Sequence, residues 1–146
     1  MTEEKFDMRN LQSVFIAALL FACAAATAET KTYRDSQGRV VGTVTIEGSR
    51  ATYRDSQGRV TMTSTTNGSQ TTFRDAQGRT IGTSTAERGG RTTYRDSQGR
   101  TVGTATQNGT RTTYRDSQGR TTGTATQSGK STTFRDSQGR TTGTKR

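Results

Sequence analysis

The chain of 146 residues has no histidine, no proline, no tryptophan and one cysteine, Cys23. Without histidine, and with so little cysteine, the usual zinc ligand sets and nucleophile–histidine pairs are excluded. A lone cysteine also excludes an internal disulfide. Apolar residues are scarce too: 25% of the chain is hydrophobic and 6% aromatic, and much of that lies in the first 28 residues. A conventional core is therefore not expected. Chains this polar are ordinarily disordered, but the absence of proline and the abundance of threonine, a β-branched residue, favour extended ladders instead.

The one hydrophobic run spans residues 11–28, and its continuously apolar part, residues 14–26, is shorter than the ~20 residues needed to cross a bilayer. It reads as the h-region of a secretory signal, with Ala26-Thr27-Ala28 as the small-residue cleavage site and Glu29 as the mature N-terminus. Glu3, Glu4 and Asp7 make an acidic start where a basic one is expected, so initiation at Met8 fits better. Leu20-Phe21-Ala22-Cys23 resembles a lipobox, with Phe21 awkwardly placed, and the favoured reading discards Cys23 with the signal. Either route exports the protein, to a periplasmic, outer-membrane-associated or secreted location, with no transmembrane helix in the mature chain.

Removing residues 1–28 takes away Lys5 and Arg9 together with Glu3, Glu4 and Asp7, so 20 basic residues face 9 acidic ones over residues 29–146. That excess suits anionic partners: acidic polysaccharide, lipopolysaccharide, phospholipid or extracellular nucleic acid.

What is present in abundance is a repeat. Tyr114-Arg115-Asp116-Ser117-Gln118-Gly119-Arg120 recurs six times, its aromatic falling at Tyr33, Tyr53, Phe73, Tyr94, Tyr114 and Phe134. The spacing is 20 residues throughout except for one interval of 21. Each unit has two turn signals between threonine-rich runs, which predicts an all-β domain over residues 29–146: six tandem β-hairpin repeats of 20 residues, forming a single-sheet strip or a β-solenoid. Asp at the start of a turn with Gly three residues on specifies a hairpin with a three-residue loop. The second turn ends in Gly in each of the five units that have one, and the 21-residue interval falls there, at Arg88-Gly89-Gly90, where an extra residue leaves the strands undisturbed.

Counting from the first turn pairs Tyr114 with Thr122. The second loop fits two registers: two residues would pair Tyr114 with Gly103 and alternate the aromatics between faces, whereas three would pair it with Val102. The latter is preferred because it gathers all six aromatics with Val41, Ile81 and Val102 on one face. That face then also carries the Asp35 and Arg39 series and the Thr43 and Thr45 series, leaving the glycines of the Gly42 series near the opposite face. On that opposite face stand Arg34, Arg54, Arg74, Arg95, Arg115 and Arg135, a basic ladder with a period of ~9.6 Å, two strand spacings.

Six equivalent copies of one motif do not make an active site, which needs distinct residues in distinct roles. Each repeated Asp is read as a turn cap and ion-pair partner. No enzyme activity, catalytic residue, cofactor or metal site is expected. The heptad resembles the YD repeat of the RHS and teneurin-like family, Tyr-x-Tyr-Asp-x-x-Gly-Arg, with Tyr114, Asp116, Gly119 and Arg120 at matching positions in each unit and Arg115 where the family has its second aromatic. The resemblance implies a strip of hairpins in an extracellular setting, here as a short secreted form. Two other patterns stand beside it. The Thr43/Thr45-type pairs look like the Thr-x-Thr ranks of ice-binding solenoids, and exported strand-turn-strand units look like curli-type self-associating proteins. The expectation is an exported, non-enzymatic β-repeat protein that binds an anionic polysaccharide, lipopolysaccharide or extracellular nucleic acid through the arginine ladder, since Arg39-type residues already have aspartate partners and Arg34-type residues have no structural duty.

Overall fold

The computed structural model of the protein describes residues 28–146. The signal segment up to Thr27, the start at Met8 and the lipobox-like Cys23 lie outside the described residues. The six units form twelve strands. The aromatic-bearing ones are β1 (Glu29–Asp35), β3 (Arg50–Asp55), β5 (Gln70–Asp75), β7 (Arg91–Asp96), β9 (Arg111–Asp116) and β11 (Ser131–Asp136). Between them run β2 (Val40–Glu47), β4 (Val60–Asn67), β6 (Thr80–Ala86), β8 (Thr101–Asn108), β10 (Thr121–Ser128) and β12 (Thr141–Lys145). Every neighbour is antiparallel, and β12 pairs back onto β1, so the sheet closes into a barrel instead of the strip or solenoid expected from sequence. Closure answers both problems that a one-sheet strip would leave: a wet apolar stripe and two unpaired edges.

The Asp-Ser-Gln-Gly turn forms as expected. Asp116 N–H donates to the Arg120 carbonyl at 2.9 Å and Gly119 N–H to the Asp116 carbonyl at 3.0 Å. Gly119 has φ 81°, the left-handed backbone that closes this loop at little cost only with glycine. Immediately beyond the turn, however, the register slips. Arg115 pairs with Thr121 and Tyr114 with Gly123, leaving Thr122 as an extra residue, a β-bulge. The shift lies at the corresponding place in the β1/β2, β3/β4, β5/β6, β7/β8 and β11/β12 hairpins. The expected Tyr114–Thr122 pair is thus corrected by one residue. The second loop differs as well: Asn108 pairs with Arg111, so Gly109-Thr110 make the turn and Tyr114 meets Ala105, not Val102 or Gly103. The longer repeat absorbs its spare residue at Arg88–Gly90, and Ser84 still meets Tyr94 as Ala105 meets Tyr114.

These shifts keep all six aromatics on one face, which is now the inside, but change their company. Tyr53, Phe73, Tyr94 and Tyr114 are buried, and Tyr33 and Phe134 pack against them. Beside the rings lie the glycines expected near the opposite face. Phe73 pairs with Gly82, Tyr94 with Gly103 and Phe134 with Gly143. The strand that follows each of these aromatics thus offers no side chain beside it, whereas Tyr53 pairs with the buried Met62; the rings of Tyr33 and Phe134 meet above β12 with centroids 6.3 Å apart. A Cβ on Gly123 would lie 2.5 Å from the Arg135 carbonyl oxygen, so the neighbouring strand also requires glycine there. Val41 and Val102, in contrast, are the bulge residues and are 51% and 37% exposed, while Ile81 alone of that series packs on the core.

Across the joints between repeats the rings face smaller residues, Val44, Ser64, Ser84, Ala105 and Ala125, all buried. The Thr-x-Thr pairs, expected beside the aromatics, are on the outer wall. They join across strands in rows such as Thr85–Thr93–Thr104 and Thr106–Thr113–Thr124. Each bulge adds one residue between turn and ring, inverting the faces of everything after it on the even strands.

Two substitutions separate the observed register from the one expected. Phe73→Ala, at the most buried ring, is expected to lower unfolding free energy by about 3–5 kcal/mol in denaturant titration. Val41→Thr should change it by no more than about 0.5 kcal/mol, as for an ordinary surface site. A large loss at Val41 would contradict the outward bulge.

Candidate polyanion-binding site

Because every Asp-Ser-Gln-Gly or Asp-Ala-Gln-Gly turn leads from an odd strand to the next even strand, antiparallel closure brings all six to the same end of the barrel. That mouth is built from the aspartates outward. Asp116 Oδ1 accepts the N–H groups of Gln118 and Arg120, both at 2.9 Å, and Oδ2 accepts Arg120 Nε–H at 2.7 Å. The same three bonds are made by Asp35, Asp55, Asp75, Asp96 and Asp136. Each carboxylate is mostly covered, whereas its arginine stays 70–77% exposed. An Arg39-type residue therefore spends Nε on its aspartate and leaves the far end of its guanidinium in water.

The Arg34 series lies on the outer wall at the same end, opposite the aromatics, as expected, and all six side chains are exposed. Each has a structural bond after all. Nη1 donates to the turn glycine carbonyl, from Arg34 to Gly38 at 2.9 Å, Arg54 to Gly58 at 3.1 Å, Arg115 to Gly119 at 3.2 Å and Arg135 to Gly139 at 3.0 Å. Arg74 and Arg95 divide this bond between glycine and the hydroxyls of Thr80 and Thr101. The expectation of an arginine without structural duty is corrected. The bond engages one nitrogen of a group that carries five N–H donors, so the arginine is aimed by its turn without being saturated.

The two arginine series and the aspartates together place twelve guanidinium groups and six carboxylates around one mouth. The ladder expected on a flat strip is a ring, with a period still about 9.6 Å measured around the wall. Sequence reasoning undervalues the Arg39 series: an i,i+4 Asp partner suggests a saturated arginine, although one Nε bond leaves most of a guanidinium available. At the opposite mouth Arg50, Arg91 and Arg111 share one repeat position and Glu47 and Glu87 another, but the remaining units carry no charge there, so no complete ring forms. Among the described residues no cluster of His, Cys, Asp or Glu could hold a metal ion, and no helix is long and apolar enough to cross a membrane.

All six carboxyls are held below the ordinary aspartate range. For Asp35, Asp55, Asp96, Asp116 and Asp136 the largest influence is the side-chain bond from the paired arginine, with partial burial opposing and the backbone N–H bonds adding. At Asp75 burial is the largest influence and opposes, and the bonds from Arg79 outweigh it. A depressed carboxyl contributes stability above its unfolded value of about 3.9, and that contribution is lost as pH falls through the lower folded values. The melting temperature should therefore be level from about pH 7 to 5 and fall below about pH 4, less steeply in Asp116→Asn. A melting temperature independent of pH down to about 2 would rule out this role for the clamps.

No family model matches the chain and no curated protein matches it, so the arginine ring is interpreted from its geometry and charge.

Proposed function

We propose that the protein is an exported, non-enzymatic β-repeat protein whose arginine ring binds anionic polymers of the cell envelope or extracellular space, acidic polysaccharide, lipopolysaccharide or nucleic acid. One observation carries this reading: twelve guanidinium groups face six carboxylates at a single mouth, each arginine tethered by bonds that use a fraction of its donors. Guanidinium matches carboxylate, sulfate and phosphate oxygens in paired hydrogen bonds. Binding of this kind is dominated by counterion release and is steeply salt-dependent. The outer wall of threonine and arginine suits an aqueous setting, in contrast to the apolar outer band of membrane barrels. The YD-repeat resemblance fits the same extracellular setting, with closure of six hairpins into a barrel in place of a long shell.

An ice-binding reading gains one point from the outward threonine rows, which stand clear of the aromatics. A barrel wall is curved and twisted, which suits a planar lattice poorly. Curli-like assembly by edge pairing is opposed by closure, since both terminal strands are occupied by each other.

Binding of heparin and of single-stranded DNA to the full chain and to the triple variant Arg95→Gln, Arg115→Gln, Arg135→Gln tests the proposal. The variant should bind more weakly by at least about tenfold at low salt, with the slope of log K against log salt reduced by about two to three. Unchanged affinity and slope, with the fold intact, would refute the ring as the binding surface. Thermal hysteresis at low protein concentration would favour the ice-binding reading instead.

A further inference from the structure

The cross-strand neighbours of each outer arginine continue as a row of outward side chains across the wall. From Arg95 on β7 the row passes Thr83, Thr72 and Thr65 on β6, β5 and β4 and ends on Arg50 at the far end of β3. Arg135 reaches Arg91 in the same way through Thr124, Thr113 and Thr106, and Arg34 reaches Arg111 through Thr144, Thr133 and Thr126. Three of the six rows therefore read Arg-Thr-Thr-Thr-Arg and lead from the arginine ring to the opposite mouth over four strand spacings, ~19 Å. The rows from Arg74 and Arg115 end instead on Thr30 and Gln70, and the row from Arg54 runs through Thr43 to Thr32. The far arginines are not imposed by the repeat, because the same position is Thr30, Gln70 or Ser131 in the other units.

Strand propensity accounts for threonine at an outward position of a sheet. It does not account for an arginine at both ends of three rows. Those rows are also the open ones: their threonines are half-buried or exposed, and Arg50, Arg91 and Arg111 are exposed. The row from Arg115 is different. Thr93 in its middle is buried, its hydroxyl donates to Glu87 at 2.6 Å beside the longer loop at Arg88–Gly90, and that row ends on Gln70. Two of the far arginines have an acid nearby. Glu87 stands 3.7 Å from Arg91 Nε, with the arginine side chain still 56% exposed, and Glu47 is the cross-strand partner of Arg50. Arg111 has Asn108 in that place, so its charge is unopposed by a cross-strand acid. A guanidinium carries five N–H donors, and one loose contact leaves most of them for a ligand.

We propose that these three rows are tracks for a linear acidic polysaccharide, which runs from the arginine ring down the wall. Guanidinium groups at the two ends of a row take its carboxylate or sulfate groups, and the threonine hydroxyls between them exchange hydrogen bonds with its sugar hydroxyls. The inference rests on the ring as a polyanion-binding surface and selects one class among its ligands. Single-stranded nucleic acid is ordinarily held by bases stacked on exposed aromatic side chains, and here all six repeat aromatics belong to the core. Lipid-bearing ligands need an apolar face for their acyl chains, but the large exposed apolar residues, Val40, Val41 and Val102, all lie at the ring end, outside the stretch between paired arginines. A polysaccharide has hydroxyls along its whole length and acid groups at intervals, as the rows have their donors. Being a flexible chain, it also follows a twisted wall that a planar lattice cannot.

The test is titration of the full chain, with 13C-labelled threonine methyl groups, with heparin dodecasaccharide and separately with heparin disaccharide, which is too short to join two arginines ~19 Å apart. The dodecasaccharide should move the methyl signals of Thr72, Thr113 and Thr133, at the middle of the three rows, and leave that of Thr52, at the middle of the row ending on Thr30, in place. The disaccharide should move none of the four. The variant Arg50→Gln, Arg91→Gln, Arg111→Gln keeps the ring intact. It should bind the dodecasaccharide about tenfold more weakly at low salt and the disaccharide as the parent does. Because one chain occupies one row, its slope of log K against log salt should fall by about one although three charges are gone. Arg88→Gln, Lys130→Gln, which removes cations of the same mouth outside the rows, should bind both fragments as the parent does. An equal loss in that variant, or Thr72, Thr113 and Thr133 unmoved while the dodecasaccharide binds at the ring, would overturn the tracks and leave the ring standing. Binding of neither fragment would remove the ring reading as well. Single-stranded DNA moving the same three methyl signals as strongly would overturn the choice of polysaccharide.

Discussion

One carboxylate in each repeat organises most of the barrel. The turn aspartate receives two backbone N–H groups on one oxygen and a guanidinium on the other, which ties the four turn residues and the arginine just before the next strand into a unit. The turn so formed is followed each time by a bulge, and the bulge decides which side chains face inward. From there the rings go inside, five of the six with glycine beside them, and threonine and arginine go out. Partial burial opposes ionisation of these carboxyls, and the hydrogen bonds outweigh it. Local electrostatics at an exposed turn thereby sets the composition of the interior.

The interior shows how few apolar atoms a closed sheet needs. Six aromatics, one per hairpin, share a single lumen, and the tyrosines among them sense each other across it. Burial raises the phenols of Tyr33, Tyr53, Tyr94 and Tyr114, and Tyr33 and Tyr94 are raised further by tyrosines on other repeats, Tyr53 and Tyr114. At Tyr53 the neighbouring Ser64 side chain opposes the rise. A strip of hairpins would have had to find a partner for its ring-bearing face. Curving the same strip until its ends meet supplies that partner from the other repeats.

Much of this is legible in the residues. Period, hairpins, the Asp turn and the harmless extra residue near Gly89 follow from turn chemistry and spacing, and the common face of all six aromatics from the gathering of scarce apolar residues. The register is not legible, for a definite reason: an Asp-to-Gly turn specifies its own loop but not a bulge one residue after it. The rule that scarce apolar residues gather together then misleads, because it draws Val41 and Val102 inward when the place beside five of the six rings belongs to glycine, with Met62 beside Tyr53. Packing room, not hydrophobicity, fills that position. The arginine ladder is visible as a set of residues. Its closure into a ring is not, since the turns of neither repeat specify the pairing between residues 33 and 145. The contribution of the Arg39 series is hidden by counting charges in pairs instead of counting donors.

Closure also changes what a repeat is. In an open solenoid a further copy lengthens the molecule and leaves the other copies as they were. Here each hairpin is a stave, and adding or dropping one alters the girth of the whole vessel, since diameter grows with strand number. Six rings that meet across this lumen would stand apart in a wider one and collide in a narrower one. The number of units is therefore a property under packing control, as much a part of the core as Phe73, and a gene that gains or loses units by slippage would be changing the interior of every remaining repeat at once.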